Sequence, residues 1–147
     1  MKTENPRTKE YDEIIKLIER KDHNKAEKML TNLLSKKKDF FIHHLLGVIY
    51  LNTKDYKKAI EHFNLSININ SKNPGAFFNL AKVYENDLKM YEANKYYLKA
   101  LSLAKDPKLI KSYSKFLFKI GEVSKAMSFQ YQYFGNIRFG KSTLKFN

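Results

Sequence analysis

Cysteine and tryptophan are absent from the 147 residues, and there are just three arginines, three prolines and five glycines. The lack of cysteine removes disulfides, thiolate zinc sites and cysteine nucleophiles together. No apolar run approaches the 18 or so residues that a membrane-spanning helix needs. The scarcity of proline and glycine argues against collagen-like or low-complexity disordered chains. The first residues, Met1-Lys2-Thr3-Glu4-Asn5-Pro6, carry an early acid and no apolar stretch, unlike a secretory leader, so a cytoplasmic location is expected. The dearth of arginine (Arg7, Arg20, Arg138) qualifies the net charge of +13, because lysine supplies 25 of the 28 basic side chains. Arginine, not lysine, makes the bidentate contacts that read bases and phosphates. Abundant Lys, Asn, Ile, Tyr and Phe share AT-rich codons, so part of the charge is compositional.

What is present is a repeat. Four short stretches align: Lys21-Asp22-His23-Asn24-Lys25-Ala26, Lys54-Asp55-Tyr56-Lys57-Lys58-Ala59, Leu88-Lys89-Met90-Tyr91-Glu92-Ala93 and Gly121-Glu122-Val123-Ser124-Lys125-Ala126. Their alanines are 33, 34 and 33 residues apart. Each stretch separates two segments with helical apolar spacing. The second and third units match further, pairing Leu46 with Leu80, Gly47 with Ala81, Tyr50 with Tyr84, Phe63 with Tyr97 and Ser66 with Ala100. Small residues at such positions let two helices approach, with bulky side chains filling the space beside them. The spacing predicts helices near 7–20, 24–36, 40–52, 56–69, 74–86, 90–104, 107–119 and 122–134. Pro74 and Pro107 fit first helical positions, with Asn73 and Asp106 as N-caps, and Asp55 is a third candidate cap.

These residues resemble the tetratricopeptide repeat family, a helix-turn-helix unit of 34 residues. The third unit carries the family pattern as Phe77, Leu80-Ala81, Tyr84, Ala93, Tyr97 and Ala100. The second carries it as His43, Leu46-Gly47, Tyr50, Ala59, Phe63 and Ser66. The fourth (Ser114, Leu117, Ala126, Gln130, Tyr133) and the first (Ile14, Leu17, Ala26, Leu30, Leu33) are weaker. The resemblance implies an all-α fold, an α-solenoid of about four repeats wound as a right-handed superhelix. It implies one domain over 1–147, with repeats near 7–39, 40–73, 74–106 and 107–134 and a tail over 135–147. The length alone also suits one domain.

In the family, the first helix of each repeat lines a concave groove. Carried onto this sequence, the groove gathers Phe41, His44 and Val48 from the second unit, Phe78, Asn79 and Lys82 from the third, and Lys108, Lys111 and Lys115 from the fourth. It runs from apolar to basic, and residues 105–147 hold nine basic against two acidic side chains. The resemblance therefore implies a non-enzymatic scaffold binding a peptide or protein, with acidic residues meeting the lysines. Two alternatives are a basic solenoid on RNA or an anionic surface, and a docking module at the front of a larger enzyme. Some relatives clamp the acidic tails of heat-shock chaperones with Lys and Asn. The five corresponding positions here are His44, Val48, Asn79, Lys108 and Ser112, of which Asn79 and Lys108 match in type. A chaperone-tail clamp is not expected.

Enzymatic readings find little. Gly135-Asn136-Ile137-Arg138-Phe139-Gly140-Lys141-Ser142 satisfies the phosphate-loop pattern G-x-x-x-x-G-K-[ST]. That chemistry needs a strand before the loop and a helix after it, whereas a helix precedes this stretch. An extended tail with a short strand is the better reading, given Ile137, Phe139, Leu144 and Phe146. The histidines His23, His43, His44 and His62 have no i, i+4 pair, so neither metal nor cofactor is expected. His43 reads as a packing residue. The aromatic run Phe129, Tyr131, Tyr133, Phe134 on the last helix is expected to be covered by the tail or by another chain, self-association included.

Overall fold

The computed structural model describes residues 6–135, 137–139 and 142–144, with side chains over 9–133 and at Gly135. The readings placed on Met1 to Asn5, on the Phe134 side chain and on Phe146 lie outside them. Among the described residues eight helices follow one another: α1 (Pro6–Glu19), α2 (His23–Lys36), α3 (Phe40–Asn52), α4 (Tyr56–Ile69), α5 (Pro74–Asn86), α6 (Met90–Leu103), α7 (Pro107–Lys119) and α8 (Val123–Phe134). The fold class is all-α, of the α-solenoid type, as expected. The chain divides into two compact units, residues 1–72 and 73–147.

The helix starts follow local chemistry. Asn73 accepts the Gly75 N–H, Asp106 those of Lys108 and Leu109, and Asp55 that of Lys58. Pro74 and Pro107 occupy first-turn positions where a missing N–H costs nothing. Asp22 and Asp39 cap α2 and α3 in the same way. Within each hairpin the chain reverses through one residue of positive φ: Lys21, Lys54, Leu88 and Gly121. The repeated left-handed residue explains why the turns recur in register.

The alanines of the repeat sit where helices meet: Ala26, Ala59, Ala93 and Ala126 are all 0% exposed. In the first unit, Ile14, Leu30, Leu33, Ile42, Leu46 and Ile49 form the core, with Phe41 and Val48 partly buried against it. Gly47 faces Phe63 so closely that a Cβ would lie 2.6 Å from the ring. Ser66, at the family's alanine position, donates its hydroxyl to the Phe40 carbonyl at 2.9 Å and so ties α4 to the start of α3. In the second unit, Tyr97 of α6 is wholly buried against Tyr113 and Phe116 of α7, with ring centroids 5.6 and 5.1 Å away.

After α8, Gly135 turns the chain with φ +62°. Strands β1 (Ile137–Phe139) and β2 (Ser142–Leu144) then pair antiparallel, Ile137 opposite Leu144. Ser142 of the phosphate-loop pattern thus begins a strand rather than a helix, while Asn136, Gly140 and Lys141 lie outside the described residues. Among the described residues, no helix is long and apolar enough to cross a membrane.

Candidate functional site

Of the nine predicted groove residues, Phe41, His44 and Val48 belong to the first unit and the other six to the second.

In the first unit they lie on α3, a helix with no charged residue. Asp39 anchors its start: one carboxylate oxygen accepts the Phe41 N–H at 3.0 Å and the other the Tyr11 hydroxyl of α1 at 2.8 Å. The Tyr11 ring meets Phe41 edge-on at 5.0 Å. His44 stacks on Phe41 at 5.8 Å and meets the Phe63 ring of α4, also at 5.8 Å. Burial pushes its pKa down to about 4, so the ring is neutral at physiological pH. His44 therefore offers an apolar, partly buried surface rather than a charge.

His43, a packing residue by its position in the repeat, also has a polar partner. Its Nδ1 lies 3.1 Å from Nδ1 of His62 on α4, with the rings stacked. The Tyr50 ring stacks on His62 at 5.4 Å. The Tyr50 hydroxyl donates to Glu27 of α2. Burial, then that hydrogen bond and the charges of Glu27, Asp55 and Glu61, push its pKa up to about 12. The two histidines are 19 residues apart on separate helices, which no local motif reveals.

In the second unit, Phe78, Asn79 and Lys82 are half-buried on α5. Phe78 meets Tyr97 edge-on at 6.0 Å. Lys82 pairs with Glu85 at 3.3 Å. Glu85 also accepts the buried Tyr97 hydroxyl at 2.7 Å and pairs with Lys119 of α7 at 3.3 Å. This carboxylate joins α5, α6 and α7. Burial raises its pKa, but the Tyr97 hydrogen bond, Lys82 and Lys119 outweigh that and hold it below the usual range.

On α7 one side is core (Leu109, Ile110, Tyr113, Ser114, Phe116, Leu117), and Lys108, Lys111 and Lys115 are exposed on another. Spacings of three and four residues place these lysines on one stripe, which Lys119 continues. Among the described residues Lys108, Lys111 and Lys115 form no ion pair, whereas Lys119 is held by Glu85. A separate apolar cleft on the α5–α6 hairpin is lined by Phe77, Tyr91, Tyr96 and Leu98, with Lys95 and Lys99 beside it. None of the nine predicted residues lines it. Tyr91 is 82% exposed, and apart from Phe77 the lining residues lie on α6, the second helix of the repeat, outside the first-helix positions that the groove reading uses. Among the described residues, no group of three or more His, Asp or Glu side chains is arranged to hold a metal.

A sequence profile of the tetratricopeptide repeat matches residues 40–73, and a second profile of the same repeat matches 74–107. The chain is 34% identical over 118 residues to Superkiller protein 3 of Schizosaccharomyces pombe, covering 79% of this chain and 8% of that protein's length. MamA (residue 41 to its end) of Desulfovibrio magneticus RS-1 superposes with a TM-score of 0.71 at 18% identity, covering 84% of this chain and 71% of MamA. The second tetratricopeptide-repeat domain of human RPAP3, solved with the HSP70 peptide SGPTIEEVD, gives 0.64 at 16% identity, covering 73% of this chain and 91% of that domain.

Proposed function

Because the chain is a tetratricopeptide-repeat protein, we propose that it is a non-enzymatic interaction scaffold that binds an acidic segment of a partner protein through the first helices of its repeats. The observation that carries the acidic preference is the stripe Lys108, Lys111 and Lys115. These three cations are exposed and lack ion pairs among the described residues, while Lys82 and Lys119 share the carboxylate of Glu85. Exposed ammonium groups attract carboxylates over about a Debye length, roughly 10 Å at 0.1 M salt. Phe78, half-buried on α5 of the same unit, supplies an apolar contact of the kind that gives such binding its grip.

The RPAP3 domain holds an HSP70 peptide. In this chain two of five clamp positions, Asn79 and Lys108, carry the matching residue type. Recognition here is therefore of distributed acidic charge and not of one chain terminus.

The test is a fluorescence-anisotropy titration with a short Glu- and Leu-bearing peptide and, separately, a generic RNA oligonucleotide. The peptide should bind, weaken several-fold between low and high salt, and lose affinity in a Lys108/Lys111/Lys115→Glu variant. Peptide binding indifferent to both salt and variant would overturn the proposal. RNA binding tighter than peptide binding would favour the nucleic-acid alternative.

A further inference from the structure

His43 and His62 face each other across the α3–α4 hairpin with their Nδ1 atoms 3.1 Å apart. Two imidazole nitrogens at that separation can share one N–H, or both can turn their lone pairs to one metal ion. Metal–nitrogen bonds of about 2.0–2.1 Å at angles between square and tetrahedral put ligand atoms roughly 2.9–3.4 Å apart. We propose that His43 and His62 form a two-imidazole site for a divalent transition-metal ion that clips α3 to α4 within the first unit.

The surroundings suit a cation. On the same hairpin, Glu61 of α4 acts on His62 as an anion, and Lys58 of α4 opposes it. From α2, Glu27 acts on His62 in the same sense as Glu61 and accepts the Tyr50 hydroxyl beside the ring. Both rings are half-buried, so coordination positions remain open to water. Two protein ligands make a weaker site than a closed four-ligand one. Nitrogen donors favour copper, nickel and zinc over magnesium or calcium. His44 is packed between Phe41 and Phe63, and His23 starts α2, so neither joins the pair.

A ligand that binds only the folded state raises the melting temperature. The tag-free full chain is melted with increasing Zn2+ or Ni2+, then with EDTA. The proposal expects a saturable, EDTA-reversible rise, lost in His43→Asn and His62→Asn and kept in His23→Asn. Circular dichroism of each variant without metal checks that it folds. Imidazole 15N–1H spectra of the unaltered chain give a readout that needs no variant, and Zn2+ should shift Nδ1 of His43 and His62. No rise, a rise retained in His62→Asn, or imidazole shifts confined to other histidines would overturn it.

Discussion

Gly47→Ala sets two quantities against each other at one position. In a helix interior alanine is favoured over glycine by about 1 kcal/mol. At Gly47, however, a Cβ would lie 2.6, 2.7 and 2.9 Å from three Phe63 ring carbons. Carbon atoms pack at about 3.5–4.0 Å, so the ring would have to retreat by roughly 1 Å. Phe63 is 0% exposed and its ring meets that of His44 edge to face at 5.8 Å, so a retreating ring presses on its packed surroundings. Overpacking of this kind costs about 1–3 kcal/mol. The clash should win, for a net loss of up to about 2 kcal/mol after the propensity gain. At about 2–4 °C per kcal/mol, melting should fall by up to roughly 8 °C. Differential scanning calorimetry of Gly47→Ala, Phe63→Leu and the double variant is the assay. The double variant should be less destabilised than the sum of the singles, because leucine vacates the ring's space. If Gly47→Ala melted higher than the unaltered chain, the close approach of α3 to α4 would be wrong.

Three further outcomes follow from the same contacts. Ala93→Phe should cost about 1–3 kcal/mol in a urea melt, since Ala93 is 0% exposed at a helix contact; an unchanged midpoint would place the repeat register elsewhere. Glu85→Ala strands the buried Tyr97 hydroxyl and should cost about 1–3 kcal/mol. Because the Glu85 pKa is lowered by folding, its contribution is complete above about pH 5 and fades as pH falls further. A Glu85→Ala variant with unchanged stability at neutral pH would contradict this. His44 is neutral in the fold with a pKa of about 4, so the unfolded chain takes up its proton first on acidification. Stability should decline between about pH 6.5 and 4 by at most about 3 kcal/mol, and His44→Gln should flatten that limb; an equally steep limb in the variant would refute it.

The repeat made the helices legible. Their ends fall within one residue of the positions read from sequence, because a small residue and a capping side chain recur at fixed offsets. The predicted caps Asn73, Asp106 and Asp55 work for the same local reason. Side-chain pairing between helices was not legible. Glu85 meets Tyr97 and Lys119, which are 12 and 34 residues away, and His43 meets His62. Lys82 looked like an open groove cation and is instead paired with Glu85. His44 shows why periodicity fails on α3: a helix without charged residues carries no pattern that separates its wet side from its dry one. On α7 lysines alternate with core residues in helical period, which sets Lys108, Lys111 and Lys115 on one exposed stripe.

The proposed binding of an acidic partner by the first helices of the repeats, and by the α7 lysines above all, can be read residue by residue in amide 15N–1H spectra of the full chain titrated with the Glu- and Leu-bearing peptide. Saturable shifts should concentrate on α5 and α7 and vanish in Lys108/Lys111/Lys115→Glu. Shifts confined to α6 and α8, or shifts that persist in that variant, would refute the proposal.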